Sequence, residues 1–242
     1  LELTSSGEVF YEKAKKLLKH STEMQNEFLE LGNRIPILKI GIPPMFSTIF
    51  FPEVINAFEL HHPDIQIELD EFGSVRACNL VQEEKLGLAI VNMEQFNINK
   101  FESRVLAKEQ LVYVVSKNHP MSGKKYMTIE DFKDEKLVMF NVDSVQNELL
   151  KNRFDGLNIS PHIIMRSSQL YTTLKFVDKG NCGCFLLSDM LPHFREYVGI
   201  PLKPSIDVKI GIIWKKENFL SHSAQLFIDF AMQYCSEKII TP

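Results

Sequence analysis

The sequence predicts an α/β fold: two lobes of similar size, preceded by one long helix. Three observations carry that expectation. Apolar residues recur in heptad steps through the first 31 positions. Short apolar runs alternate with helical spacings from residue 37 to 92, and the alternation starts again near 111. Two stretches, 102–110 and 204–210, are where the chain can cross between lobes. Lobes joined by two crossings enclose a cleft, a preferred setting for a ligand.

The elements follow in order. Ser5 and Glu8 are spaced as a capping box, the hydroxyl accepting from an orphan N–H and the carboxylate reaching back. Phe10, Ala14, Leu17, Ser21, Met24, Phe28 and Leu31 then alternate steps of four and three, an a/d seam with one polar interruption. Lysines at 13, 15, 16 and 19 take the other faces, and Gly32-Asn33 with Pro36 stop the helix. At 1.5 Å per residue the rod is roughly 40 Å long. So narrow a seam on so long a rod favours pairing with a second copy over packing on its own body.

Residues 38–42 read as a buried strand stopped by Pro43-Pro44. Residues 48–61 carry Val54, Ile55 and Phe58 at helical spacing, with Pro52 tolerated in the first turn. Ile65, Ile67 and Leu69 alternate with polar neighbours as a half-exposed strand, Gly73-Ser74 opens another helix, and 86–91 is a strand. This β-α-β-α-β order predicts a parallel sheet with covering helices. Strands at 111–115, 136–140, 162–166, 183–187 and 208–214 alternate with helices at 145–154, 169–178 and 223–235 in the rest.

Composition narrows the function classes. The chain has 242 residues, 45% apolar and 24% charged, as globular proteins do. A formal net charge of −4 gives it no basic face with which to grip nucleic acid by itself. No apolar run is long enough for a membrane span, and no secretion signal opens the chain. Lacking an initiator Met, it is expected to be a piece of a longer protein. Cys78, Cys182, Cys184 and Cys235 form no CxxC and no zinc-spaced cluster, which suits buried free thiols in a reducing, cytoplasmic setting. No Gly-rich nucleotide loop, HExxH or GxSxG occurs, so no metal, no cofactor and no catalytic residue is expected. Two alternatives stay open: a cytosolic enzyme such as an acid dehydratase, with Glu71 or His162 as general acid, and a solute-binding protein.

Polar groups at strand ends are the candidate ligand contacts. Phe46, Ser47 and Thr48 follow the first strand, Gly73 and Ser74 open the next helix, and Ser167, Ser168 and Gln169 play that part in the second lobe. Helix N-termini present unpaired N–H groups and the positive dipole end. Either these residues only cap their own helices, or together they clamp a small anion at the crevice outside the strand ends.

Leu3-Thr-Ser-Ser-Gly-Glu8 before a long helix resembles the join between the winged helix-turn-helix and the linker helix of LysR-type transcriptional regulators. Leu38-Lys-Ile-Gly-Ile-Pro-Pro44, Phe51-Pro52, Phe58, Pro63 and Glu71-x-Gly-Ser74 resemble their effector-binding domain, as do Asn118-His-Pro120 and Val177-x-x-Gly180 with Gly183. The resemblance spans essentially the whole chain. It implies two Rossmann-like lobes of the type-2 periplasmic-binding kind behind a dimerisation helix. Residues 1–35 would be the linker, 36–107 with 208–242 one lobe, and 108–207 the other. It implies an effector between the lobes, on the strand-end residues above together with Met45, Asn92 and Asn141. It also implies dimers or tetramers through the seam, and DNA contact through a domain upstream of Leu1. The Ile-Gly-Ile-Pro-Pro start is similar to a branch that senses citrate, pyruvate or acetate. Met45 stands where the family often has Ser or Thr, and Asn92 where a basic residue is common. A weakly anionic or more apolar ligand is therefore as open as a multi-carboxylate one.

Overall fold

In a computed structural model of the chain, two sheets share one long strand. The structure describes residues 3–31, 35–49, 51–94, 98–142, 144–216 and 220–240. Helix α1 (Ser5–Leu31) opens the chain. Its cap is Thr4 rather than Ser5: the Gly7 N–H donates to Thr4 Oγ1 at 3.1 Å, the N3 position that a cap hydroxyl reaches. The Gly32-Asn33 stop and the Leu31 side chain lie outside the described residues. Phe10, Leu17, Met24 and Phe28 are 74, 72, 55 and 66% exposed, and Ala14 is half-buried.

In the first sheet, β1 (Ile37–Ile42) runs parallel to β2 (Gln66–Glu71) and β3 (Leu88–Asn92). β3 pairs antiparallel with β9 (Asp207–Lys215), and β9 with the first part of β4 (Phe101–Ser116), giving the order β2-β1-β3-β9-β4. Helices α2 (Pro44–Ile49), α3 (Phe51–His61), α4 (Ser74–Gln82) and α7 (His222–Ile240) belong to this half. From Leu111 onward β4 leaves that sheet and pairs antiparallel with β7 (Cys184–Leu187) and β8 (Tyr197–Pro201). β5 (Lys136–Met139) and β6 (His162–Arg166) form a parallel pair. Gly183 ties them to β7, donating to Lys136 O at 3.0 Å and accepting from Val138 N–H at 2.9 Å. Helices α5 (Val145–Gly156) and α6 (Leu170–Lys179) complete this half.

Burial follows the side-chain alternation of the strands. Ile40, Ile42, Leu88 and Ile90 face α3 and α7, where Phe58 meets Phe227 edge to face at 5.3 Å. Ala89, Val91 and Ile213 face Ala77, Cys78 and Val81 of α4. β3 is thus covered on both sides, so its sequence is a continuous apolar run rather than an alternation. The rings of Tyr113, Phe132, Phe154 and Phe185 centre the second lobe.

Three expectations change. The helix read from 48 to 61 begins earlier, because Pro44 opens α2; a missing N–H has no consequence in a first turn. Residues 101–110 are not a loose connection but part of a sixteen-residue strand. They pair with β9 along the crossing, with a bulge at Leu106 between Val105 and Ala107. β8 is not among the strands expected from the sequence; it holds its place as an edge partner of β4, where Pro201 is tolerated.

Candidate functional site

The carboxyl ends of β1, β2, β5 and β6 open onto one cavity of about 140 Å³. One lobe supplies Pro43, Pro44 and Met45 after β1, and Glu71 through Ser74 with Arg76 after β2. The other supplies Phe140, Asn141, Ser144 and Gln146 between β5 and α5, and Ser168 between β6 and α6. This is the crevice outside strand ends where open α/β sheets bind ligands. Its size suits a compact metabolite, below the roughly 300–1,000 Å³ of drug-sized sites.

Each polar wall is set by local structure. Ser74 is the first residue of α4, and Gly73, which has no side chain to cap with, leaves that N-terminus to the cavity. Ser74 Oγ accepts the Asn92 N–H at 3.0 Å, so its own hydrogen remains to donate. Ser144 precedes α5 and donates to Gln146 Oε1 at 2.7 Å, which leaves the Gln146 amide N–H groups for a ligand. Arg166 Nη1 donates to Asn147 Oδ1 at 2.7 Å and to Phe140 O at 3.3 Å, fixing the β5–α5 turn. Arg76 lies over the Phe72 ring, 4.8 Å from its centroid, and is the only cation among the described residues of the lining. Glu71 accepts a hydrogen bond from Ser47.

Of the residues expected from sequence, Met45, Gly73, Ser74, Asn141 and Ser168 come together here. Ser47 and Thr48 do not line it, because α2 starts a turn earlier than its sequence suggests: Thr48 Oγ1 donates to Pro44 O at 2.8 Å, and Ser47 Oγ, also 2.8 Å from that carbonyl, has one hydrogen to share between it and the Glu71 carboxylate of the cavity wall. Phe46 turns to a different cavity. Asn92 is fully buried beneath Ser74; its Oδ1 accepts the Glu94 N–H at 3.0 Å, and its Nδ2 has no partner among the described residues. Ser167 Oγ accepts from the Gln169 N–H at 3.0 Å and Gln169 Oε1 from the Thr172 hydroxyl at 2.9 Å, so both serve their own turn. Arg76, Ser144 and Gln146 were not anticipated; each lies on or directly before a helix whose spacing alone does not reveal which end meets the other lobe. His162 opens β6 at its amino end, away from the cavity. No group of three His, Cys, Asp or Glu side chains among the described residues could hold a metal.

A larger cavity, of about 670 Å³, lies against the crossing strands and shares Met45 with the first. In its wall, burial and a hydrogen bond with the Asp189 carboxyl push Glu109 up to about 7. Glu109 holds its proton more tightly folded than unfolded. The stability it contributes is therefore complete below about pH 4.5 and is lost as pH rises through about 7. Urea unfolding of Glu109→Gln should show a flatter dependence across that window. A slope identical to the parent's would mean that the carboxyl is not desolvated.

Comparison with known proteins follows the same outline. The family model described as LysR substrate binding domain matches residues 34–236. The uncharacterized HTH-type transcriptional regulator YwbI of Bacillus subtilis is 28% identical over 201 residues, 81% of this chain and 66% of that protein. The effector binding domain of QuiR, solved in complex with shikimate, superposes with a TM-score of 0.73 at 22% identity, covering 84% of this chain and 99% of that one. The CcmR regulatory domain of Synechocystis PCC6803, in complex with 2-PG, gives 0.75 at 18% identity over 83% of this chain and 97% of that one. No helix among the described residues is long and apolar enough to cross a membrane.

Proposed function

We propose, from the premise that this chain belongs to the LysR substrate binding domain family, that it is the effector-sensing and self-associating part of a cytoplasmic transcriptional regulator. A small organic anion enters the cleft between a lobe of residues 36–107 with 208–242 and a lobe of residues 108–207. Residues 1–35 pair two copies through the α1 seam, and a domain upstream of Leu1 reaches DNA. The chain performs no reaction. One observation carries this reading: Ser74 and Ser168, one from each lobe, line a single cavity together with Arg76. An anion held there bridges the lobes. It shifts their relative arrangement by the difference in its affinity for the two states. The β4–β9 ribbon is the element that must absorb that shift, because it is the paired stretch through which the chain passes from one lobe to the other.

The ligand class is the finer part of the proposal. Three helix N-termini and one guanidinium favour a carboxylate or phosphate-sized group. Citrate, pyruvate and acetate are the first candidates, and shikimate is a useful comparison because QuiR is solved with it. Calorimetric titration should find one organic acid that binds saturably. Arg76→Ala should weaken it by roughly 10–100-fold, as expected for a charged hydrogen bond of about 1.5–3 kcal/mol. Ser74→Ala or Ser168→Ala should weaken it about fivefold, as a neutral bond of about 1 kcal/mol would. Unchanged affinity in all three variants rejects this cavity as the effector site.

A further inference from the structure

The larger cavity has a built polar end and an apolar body. Leu106, Ala107 and Glu109 of β4 with Ile210 of β9 form one side, at the bulge where the ribbon crosses. Phe46 and Met190 close it with apolar surface. Glu109 Oε2 accepts from the Ser188 hydroxyl at 2.8 Å and from the Asp189 backbone N–H at 3.3 Å. The Asp189 carboxyl meets the Glu109 carboxyl. The other charged or titratable groups in the lining are Glu53 from α3, Lys108 from β4 itself, His193 at the end of the 3-10 turn Ser188–His193, and the Cys235 thiol of α7. Among the described residues no Lys, Arg or His makes an ion pair with Glu109 or Asp189.

We propose that this cavity is a second small-molecule site, for an amphiphilic cation: an ammonium on a short apolar or aromatic stem. The ammonium would sit on Glu109 and Asp189, and the stem against Phe46, Leu106, Met190 and Ile210. Two carboxyls in contact cannot both ionise without repulsion, so Glu109 keeps its proton up to about pH 7, and the ionised pair formed above that is relieved by a cation. An ammonium supplies both the charge and up to three donors. An anion would add to the repulsion, and a neutral molecule would leave the pair as it is. The volume lies within the range of small-molecule sites, which are mostly apolar with a few placed polar groups. This site is separate from the anion cleft, and its occupancy can be tested whether or not the cleft reading stands.

The test titrates benzylammonium chloride into the full chain, followed by NMR, with benzyl alcohol and phenylacetate as matched probes. Benzylammonium should bind saturably at about pH 8 and at least about tenfold more weakly at about pH 5.5, where Glu109 keeps its proton. Glu109→Gln should weaken binding about tenfold at the higher pH and remove most of the pH slope. Asp189→Asn, at an exposed side chain that tolerates the change, should weaken it by at least about threefold. His193→Gln should leave the slope in place, which separates the imidazole from the carboxyl pair. The proposal is overturned if benzyl alcohol or phenylacetate binds as tightly as benzylammonium. It is equally overturned if no saturable binding occurs at either pH, or if Glu109→Gln and Asp189→Asn both bind like the parent.

Discussion

Leu17→Glu combined with Phe28→Glu is expected to abolish the proposed pairing of two copies through α1, leaving the two lobes folded. The two side chains are 72 and 66% exposed in the single chain, and with Phe10 and Met24 they occupy the a/d positions of one face of α1. Each large apolar side chain buried between two copies contributes about 1.5–3 kcal/mol. Association itself costs about 4–15 kcal/mol, so a seam of this length is favourable by a modest margin. Two carboxylates per helix remove about half of that burial and set like charges against each other across the symmetry axis. Sedimentation velocity should show the dissociation constant rising by well over tenfold, with circular dichroism of the lobes unchanged. If the variant sediments like the parent, the seam is not the contact that holds copies together.

Gly183→Ala should cost about 2–3 kcal/mol of stability, in the range for forcing extra volume into a packed core. A Cβ at this position would fall inside the Tyr113 ring. Neither partner has room to yield. Both backbone groups of Gly183 are engaged, with Lys136 O and Val138 N–H, and Tyr113 is fully buried with its hydroxyl donating to Glu135 Oε2 at 2.9 Å. For a chain of this size the loss corresponds to about 5–10 °C in melting temperature. Pairing it with Tyr113→Leu should recover part of that loss, because the smaller side chain vacates the space. A Gly183→Ala chain that melts with the parent would show that the β5–β7 joint can open without cost.

The candidate site was half legible. Ser74 and Ser168 could be read because a Ser at the start of a helix after a strand has few structural meanings, and two such starts in two lobes suggest a shared crevice. Ser47 and Thr48 carried the same signal, yet the structure does not bring them into the cavity lining. Pro43-Pro44 resembles a loop, whereas Pro44 is the first residue of α2, and the hydroxyls a turn further on fold back to its carbonyl. Arg76 left no signal at all: one Arg on the exposed side of a short helix looks the same whether it faces solvent or a ligand. The acidic pair at Glu109 and Asp189 was invisible for a different reason, since eighty positions separate its members and only the meeting of β4 with the turn after β7 unites them.

The order of strands and helices, the long N-terminal rod and the strand that is buried on both faces are all written in local periodicity. Period and punctuation are properties of neighbours in the chain, and short-range sterics and burial enforce them wherever they occur. Which strand ends adjoin, and therefore which side chains share a cavity, depends on pairings between distant segments. β4 and β9 are the plainest case. Their facing residues, from Phe101 with Lys215 to Gln110 with Asp207, are about a hundred positions apart at one end and the other. Alternating charges disguise the first as a linker, and pairing alone makes the two a ribbon. Both cavities are placed by that long-range geometry, so the chemistry at their walls emerges from packing and not from any motif.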